Sequence, residues 1–367
     1  MSQGFVRSTQ TRDMEIIGGE YFDDLASRSF FQDLEIDWYG SVSCKMHDLM
    51  HDFANFVANN ECSIVESVDT KFDYSKTRHL AFEIMESNDS FIPPPILNAK
   101  NLRTFFVWVY PNPRPNLDIK LLHHLTCLRT LDLSCVAIET LPNEVGSLIH
   151  LRYLDLSETK LVELPESVCN LRNLQTLKLT SCKNLSRLPE GLRKLVNLRH
   201  LELLYTDALE CLPKGIEELR CLQTLSMFVM SEEGCQLREL SNLNSLCGSL
   251  TITNIRGGGS KESINLKSKE HLCCLGLEFV EYEGKRDDDG SAIELFEPHP
   301  NLEELVVWYY GGSKFPNWME FQSSSIMLRR LQITECRNLE ILPPWANLES
   351  LQCLSLRGLD SMRHQQQ

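Results

Sequence analysis

The sequence predicts an α/β solenoid: a curved parallel sheet of about twelve stacked repeats, preceded by a short segment with its own pattern. Three observations predict it. Self-similar L-x-x-L-x-L segments recur every 23 or 24 residues through the middle of the chain. A Leu-Pro pair returns at a matching place in those repeats. Residues 1–66 follow neither pattern, which divides the chain into 1–66 and 67–367.

The repeat is clearest in Leu128-Arg129-Thr130-Leu131-Asp132-Leu133 and its four successors, led by Leu151, Leu174, Leu198 and Leu222. A period of this size, inside the roughly 20–29 residues of leucine-rich repeats, identifies the unit. The last two leucines of each segment are two apart, so they share one face of a strand. One repeat alone cannot bury them; stacked repeats form one continuous core. Softer copies are expected at Leu80/Phe82, Phe105/Val107, Leu250/Ile252, Leu275/Leu277, Leu305/Val307, Leu331/Ile333 and Leu354/Leu356. The pairs Leu141-Pro142, Leu164-Pro165, Leu188-Pro189, Leu212-Pro213 and Leu342-Pro343 lie outside the sheet, because proline cannot serve a central ladder. They predict turns before short helical segments. Gly257-Gly258-Gly259, and the charged run from Lys285 to Gly290, read as loops. The glycine run precedes Ser260-Lys261 but lacks the spacing of a phosphate loop.

Charge excludes one class of partner. The net charge is -15, and phosphate backbones need an excess of Lys and Arg, so no nucleic-acid partner is expected. Residues 1–127 hold 11 basic against 18 acidic groups, 128–222 hold 12 against 13, and 223–367 hold 13 against 20. The middle is therefore near neutral. No apolar run approaches the roughly 18 residues of a membrane span, and the first residues have no signal-type apolar core. Fourteen cysteines without a C-x-x-C pair read as reduced thiols, with Cys127, Cys221 and Cys353 as small half-buried residues in or beside strands. These features point to the cytoplasm or nucleus.

A recognition scaffold would use the solvent-facing side of the strands. In the regular repeats that face is expected to hold Arg129, Asp132, Arg152, Tyr153 and Asp155. Lys178, Arg199, His200 and Glu202 follow, and Trp308, Tyr309, Arg329 and Arg330 continue it. Arg, Tyr and Trp are favoured interface anchors; taken singly each reads first as an ordinary solvated strand residue, and as a set on a curved surface they define a partner-binding face.

In the first segment, Glu20 to Phe31 read as an amphipathic helix, Ser41–Met46 as a strand, and His47 onward as a second helix carrying Leu49, Met50, Phe53, Phe56 and Val57. That order is part of a winged-helix domain. His47-Asp48-Leu49-Met50-His51 approaches the zinc motif H-E-x-x-H, but Asp replaces Glu and no third ligand announces itself. A zinc hydrolase on His47 and His51 is the weakest reading, and no metal is assigned.

The segment Cys44-Lys45-Met46-His47-Asp48-Leu49-Met50-His51-Asp52-Phe53-Ala54 resembles the MHD region of plant nucleotide-binding leucine-rich-repeat disease-resistance proteins. Glu20–Leu25, Ser27–Phe31, Arg78-His79-Leu80 and Pro298–Leu302 fit the coiled-coil class of that family. The resemblance implies an ADP/ATP switch in which Met46, His47 and Asp48 sense the nucleotide. It implies repeats that restrain the nucleotide-binding core and recognise a pathogen effector or a guarded host protein. The family's phosphate loop has no counterpart here, so the chain reads as the C-terminal portion, holding no cofactor of its own and not acting as an enzyme. The alternative is a free-standing intracellular repeat adaptor.

Overall fold

The computed structural model describes residues 1–9, 12–36, 42–58, 61–65, 74–84, 96, 98–109, 119–257, 264–281, 289–320, 327–342 and 348–361. They form two compact units: Met1–Ala137 with Ser147–Leu154, and Ile138–Gly146 with Asp155–Gln367.

The first unit opens with helix α1 (Met14–Ser27). It stops earlier than the helix expected over Glu20 to Phe31. Ser29 adopts a left-handed φ of 60°, and the N–H groups of Ser29 and Phe30 close onto the carbonyls of Ala26 and Leu25. Phe31 instead begins β1 (Phe31–Ile36), which pairs antiparallel with β2 (Val42–Met46). The ring of Phe31 still meets the helix, stacked on Phe22 at 5.1 Å. The expected strand is therefore present and the expected long helix is a helix plus a hairpin strand. Ser41 lies outside the described residues. Helix α2 (Asp48–Ala58) follows, and its apolar side is largely exposed: Leu49 74%, Phe53 59% and Phe56 82%.

A parallel ladder then begins at β3 (Cys62–Val65) and continues through β4 (His79–Ile84), β5 (Thr104–Val109) and β6 (Thr130–Asp132). Its register aligns Ser63, Leu80, Phe105 and Leu131. Leu80, Phe82, Phe105, Val107 and Leu131 are buried, as the period-2 pattern requires. Strand β3 is one repeat ahead of the first that the leucine pattern marks, because Cys62-Ser63-Ile64-Val65 carries no leucine.

β7 (Tyr153–Asp155) ends where the second unit begins. In the second unit β8 (Thr176–Lys178), β9 (His200–Glu202) and β10 (Thr224–Leu225) align Leu177, Leu201 and Leu225. A six-stranded parallel sheet follows, built from β11 (Met227–Val229), β12 (Gly248–Ile255), β13 (Leu272–Phe279), β14 (Glu304–Trp308), β15 (Arg330–Thr334) and β16 (Cys353–Arg357). Ile252, Leu277, Val307, Ile333 and Leu356 share one register line. The segment led by Leu222 thus serves two ladders. Ser226 is the handover: its N–H donates to Leu201 O, its carbonyl accepts from Thr251, and its Oγ accepts the Leu203 N–H at 2.6 Å.

The Leu-Pro pairs behave as predicted. Leu141, Leu164, Leu188 and Leu212 are buried, and 3-10 turns follow at Asn143–Ser147, Glu166–Asn170, Glu190–Lys194 and Ile216–Glu218. Pro343 lies outside the described residues. Successive turns are tied by carboxylates: Glu166 accepts the N–H of Glu190 at 2.7 Å and of Gly191 at 3.2 Å, and Glu294 accepts that of Asn317 at 2.8 Å. Gly146 is required for this spacing, since a Cβ there would lie 2.5 Å from the Ser167 carbonyl oxygen.

Two details depart from the sequence reading. Asp289 and Gly290 are not part of a loop; they open α4 (Asp289–Ile293), and Asp289 is buried. Its Oδ1 accepts the Gly257 N–H at 3.0 Å and its Oδ2 the Gly311 N–H at 3.1 Å. Residues 258–263 and 282–288, which hold the rest of both expected loops, lie outside the described residues. Cys127, Cys221 and Cys353 are exposed rather than half-buried, because they fall before the strands or on the last described one.

All fourteen thiols are free. In the second unit burial pushes Cys169 up from the ordinary 9.0 to about 11 and Cys336 to about 12, and raises Cys235 as well. A thiol whose folded value is raised contributes stability that is present below pH 9 and is lost as pH climbs toward the folded value. For Cys169 the window is pH 9 to 11, with a ceiling of roughly 2.7 kcal/mol from about 1.36 kcal/mol per unit. The urea midpoint is expected to fall steadily from pH 9 upward, and the fall should be shallower in Cys169→Val.

Candidate functional site

The strand positions chosen as a recognition face divide into three groups. The first is removed from solvent. Asp132 and Asp155 are only 6% and 7% exposed. Their Oδ1 atoms accept the N–H of Ser134 at 3.0 Å and of Ser157 at 2.9 Å. Strand alternation places them outward, but the chain is already turning: Cys135 and Glu158, three residues on, have left-handed φ of 62° and 59°. An aspartate that closes a turn through its own backbone serves the fold rather than a partner.

The second group is paired along the strands. Lys178 meets Glu202 at 3.1 Å, Arg330 meets Glu304 at 2.8 Å, and Arg329 meets Glu303 at 3.6 Å. His200 Nδ1 and Thr224 Oγ1 lie 3.1 Å apart, and Arg199 is half-buried. Such ion pairs near the surface add little stability.

The third group is aromatic and basic. Tyr153, Trp308 and Tyr309 are half-buried. The ring of Trp308 crosses Gly276 on the neighbouring strand, where a Cβ would come within 2.9 Å of the ring. Tyr309 takes a left-handed φ of 58°, which ends β14. Arg129 and Arg152 in the first unit are half-buried, and Arg129 Nη1 donates to the carbonyl of Gln3 at 2.6 Å. Gln3 Nε2 in turn donates to Thr104 Oγ1 at 2.9 Å and Thr130 Oγ1 at 3.0 Å. Residues 2–4 therefore lie across β5 and β6, a contact that no periodicity in the sequence announces.

The MHD residues form the junction between β2 and α2. Met46 ends the strand and is exposed. His47 donates its N–H to Phe30 O at 2.9 Å, and its carbonyl accepts from Met50 and His51. Its Nδ1 accepts the Leu49 N–H at 3.3 Å, so the ring caps the first turn of α2. Asp48 is exposed in that turn, where a negative charge complements the helix end. His51 faces Asn55 and Asp52. No group of three His, Cys, Asp or Glu side chains able to hold a metal occurs among the described residues. No helix among them is long and apolar enough to cross a membrane.

Known proteins align with both parts. The model of a leucine-rich repeat region matches residues 101–367, and that of the disease resistance protein winged helix domain matches 1–54. Disease resistance protein RGA2 of Solanum bulbocastanum is 38% identical over 97% of this chain and 34% of its own length. RGA4 of the same plant is 36% identical over 98% of this chain, again 34% of its own length. The chain thus spans about a third of these relatives. Among solved structures, the leucine-rich-repeat ectodomain of the Arabidopsis thaliana receptor kinase GASSHO1/SCHENGEN3 shares the fold, with a TM-score of 0.51 at 19% identity over 77% of this chain and 33% of that one. With a leucine-rich repeat region and a disease resistance winged helix matched on one chain, and disease resistance proteins aligned over nearly its whole length, the chain belongs to the plant leucine-rich-repeat disease-resistance proteins.

Proposed function

We propose that this chain is the recognition and restraint portion of an immune receptor, reading a pathogen effector or a guarded host protein through the strand faces of its repeats. The observation that carries the reading is the set of ion-paired and aromatic residues held in strand register: Lys178 with Glu202, Arg330 with Glu304, and the half-buried Trp308 laid over Gly276. Positions fixed in advance lose less freedom on binding, which favours recognition.

The switch reading rests on His47. With Nδ1 accepting from the helix backbone, the proton is on Nε2, and Nε2–H has no partner among the described residues. A neutral imidazole in that tautomer donates to a phosphate oxygen. ADP or ATP would be held mainly by a nucleotide-binding domain, with His47 contributing one hydrogen bond and Asp48 the charge beside it. The two states would then differ in population by what that bond contributes. The proposed division is the sequence boundary of 1–66 and 67–367 moved back to the start of β3, with the winged helix ahead of Cys62 and the repeats from it onward, in the cytoplasm or nucleus.

The test joins this chain to the part of RGA2 outside the match and expresses it in leaves. His47→Ala is expected to lower the ADP that copurifies several-fold and to raise basal cell death. Unchanged ADP content and unchanged basal cell death would sink the switch reading.

A further inference from the structure

The carboxylates on the strands of the second unit are not all matched. Glu202 on β9 meets Lys178 at 3.1 Å, and Glu304 on β14 meets Arg330 at 2.8 Å. Glu278 on β13 is half-buried and has neither an ion pair nor a side-chain hydrogen bond among the described residues. Burial first, and then the charge of Asp207, hold its carboxyl above the ordinary carboxylate value. A charge partly removed from water without a partner is unfavourable, and an arriving cation relieves it.

Beside it on the sheet face stands an aromatic ring. Glu278 and Trp308 are register partners on adjacent parallel strands, about 4.8 Å apart at the backbone and on the same face. The ring of Trp308 crosses Gly276, where a Cβ would come within 2.9 Å of it, and stays half-exposed. Thr334 continues the row of Glu278 and Trp308, and the row below holds Gly276, Val306 and Gln332. None of these is a cation. Arg330 stands one row farther and is held by Glu304.

The chain itself has few cations to offer here, since residues 223–367 hold 13 basic against 20 acidic groups. A group that suits the place must be positive, to pair with the carboxylate, and flat, to lie on the indole. It must also give up water readily. The ammonium of lysine is compact and strongly hydrated, whereas a guanidinium is planar, weakly hydrated and stacks on aromatic faces.

We infer that Glu278 and Trp308 form a subsite for an arginine side chain of the protein partner, with the carboxylate accepting the guanidinium fork and the indole covering its flat face. Asp207, exposed in the same unit, adds a second negative charge to the approach. The inference rests on the recognition reading and narrows it, from a protein partner in general to a segment that presents arginine to β13 and β14.

The test is fluorine NMR of the full chain labelled with fluorotryptophan, the Trp308 signal being identified among its five tryptophans through Trp308→Phe. The probes are N-acetyl-arginine methylamide and its lysine and glutamine counterparts, at matched ionic strength. Arginine is expected to move the Trp308 signal saturably, lysine to bind several-fold more weakly, and glutamine to leave the signal in place. Glu278→Gln keeps the shape of the side chain and is expected to weaken arginine binding roughly tenfold, as for one lost charged hydrogen bond. Its other tryptophan signals should keep their positions, which reads an intact fold. Glu270→Gln removes an equal charge just ahead of β13, from an exposed side chain, and should bind as the parent does. A Trp308 signal that arginine does not move overturns the inference, and so does undiminished affinity in Glu278→Gln or equal affinity for lysine. No pathogen and no cell death enter this readout, so its failure is distinct from a failure of the recognition reading, which the leaf response measures.

Discussion

Replacing Phe228 by alanine is expected to destabilise the second unit by about 3–5 kcal/mol, the range for a fully buried aromatic truncated in a close-packed core. Phe228 is fully buried on β11, the first strand of the six-stranded sheet, and its neighbours Met227 and Val229 are buried too. It stands two residues beyond Ser226, where the chain passes from one ladder to the next. In a repeat array each unit is stabilised mainly by its neighbours, so damage at a junction weakens the interface on both sides. The checking measurement is urea unfolding followed by circular dichroism. The transition should move to lower urea and broaden into two steps. Leu356→Ala, on the last described strand and only half-buried, should cost much less.

The second large effect is expected at Asp289. Its two carboxylate oxygens hold the N–H groups of Gly257 and Gly311, joining the ends of β12 and β14 through one buried side chain. Asp289→Ala removes two charge-assisted bonds and leaves two donors to find other partners. Each such loss costs roughly 1–3 kcal/mol, so about 3 kcal/mol in total is expected. Asp289→Asn keeps one acceptor oxygen and should cost roughly half as much. Hydrogen exchange reads the mechanism directly: the amides of Gly257 and Gly311 should lose protection in the alanine variant, while Leu177 and Leu201 keep theirs.

The leucine ladder was legible because its physics is one-dimensional. A fixed period and a two-residue alternation determine which side chains share the core, and Leu131, Leu177, Leu201, Leu225, Ile252 and Leu277 all fall into place on that basis. What the sequence hid depends on three-dimensional neighbours. Asp132 and Asp155 satisfy the outward alternation yet close turns, because alternation assumes an extended backbone for one residue too many. Phe30 and Phe31 continue the apolar run after Leu25 but stand five and six residues on, off its i+3/i+4 face, and the left-handed Ser29 that breaks the helix carries no signal in the sequence. Asp289 belongs by composition to a charged run, and only the approach of Gly257 and Gly311 gives it a buried role. Trp308 was marked as a recognition residue, whereas the bare Gly276 beneath it had no signal in one sequence. The MHD motif was legible only by resemblance. Its backbone role, a histidine capping α2, follows from the strand-to-helix junction and would be the same without a nucleotide.

The exposed apolar side of α2 has a consequence in solution. Leu49, Phe53 and Phe56 form a contiguous helical stripe of the kind that associates when left uncovered.

The central claim is that specificity resides on the strand faces of the repeats. The direct measurement is leaf cell death triggered by a panel of pathogen isolates, in a receptor that joins this chain to the part of RGA2 outside the match. Exchanging Lys178, Glu202, Trp308 and Arg330 for the RGA2 residues at those positions should change which isolates trigger the response. Exchanging the return-side residues Val162, Val196 and Ile341, which are exposed but off the strands, should leave the pattern unchanged. A pattern that follows the return-side residues and ignores the strand faces would contradict the account.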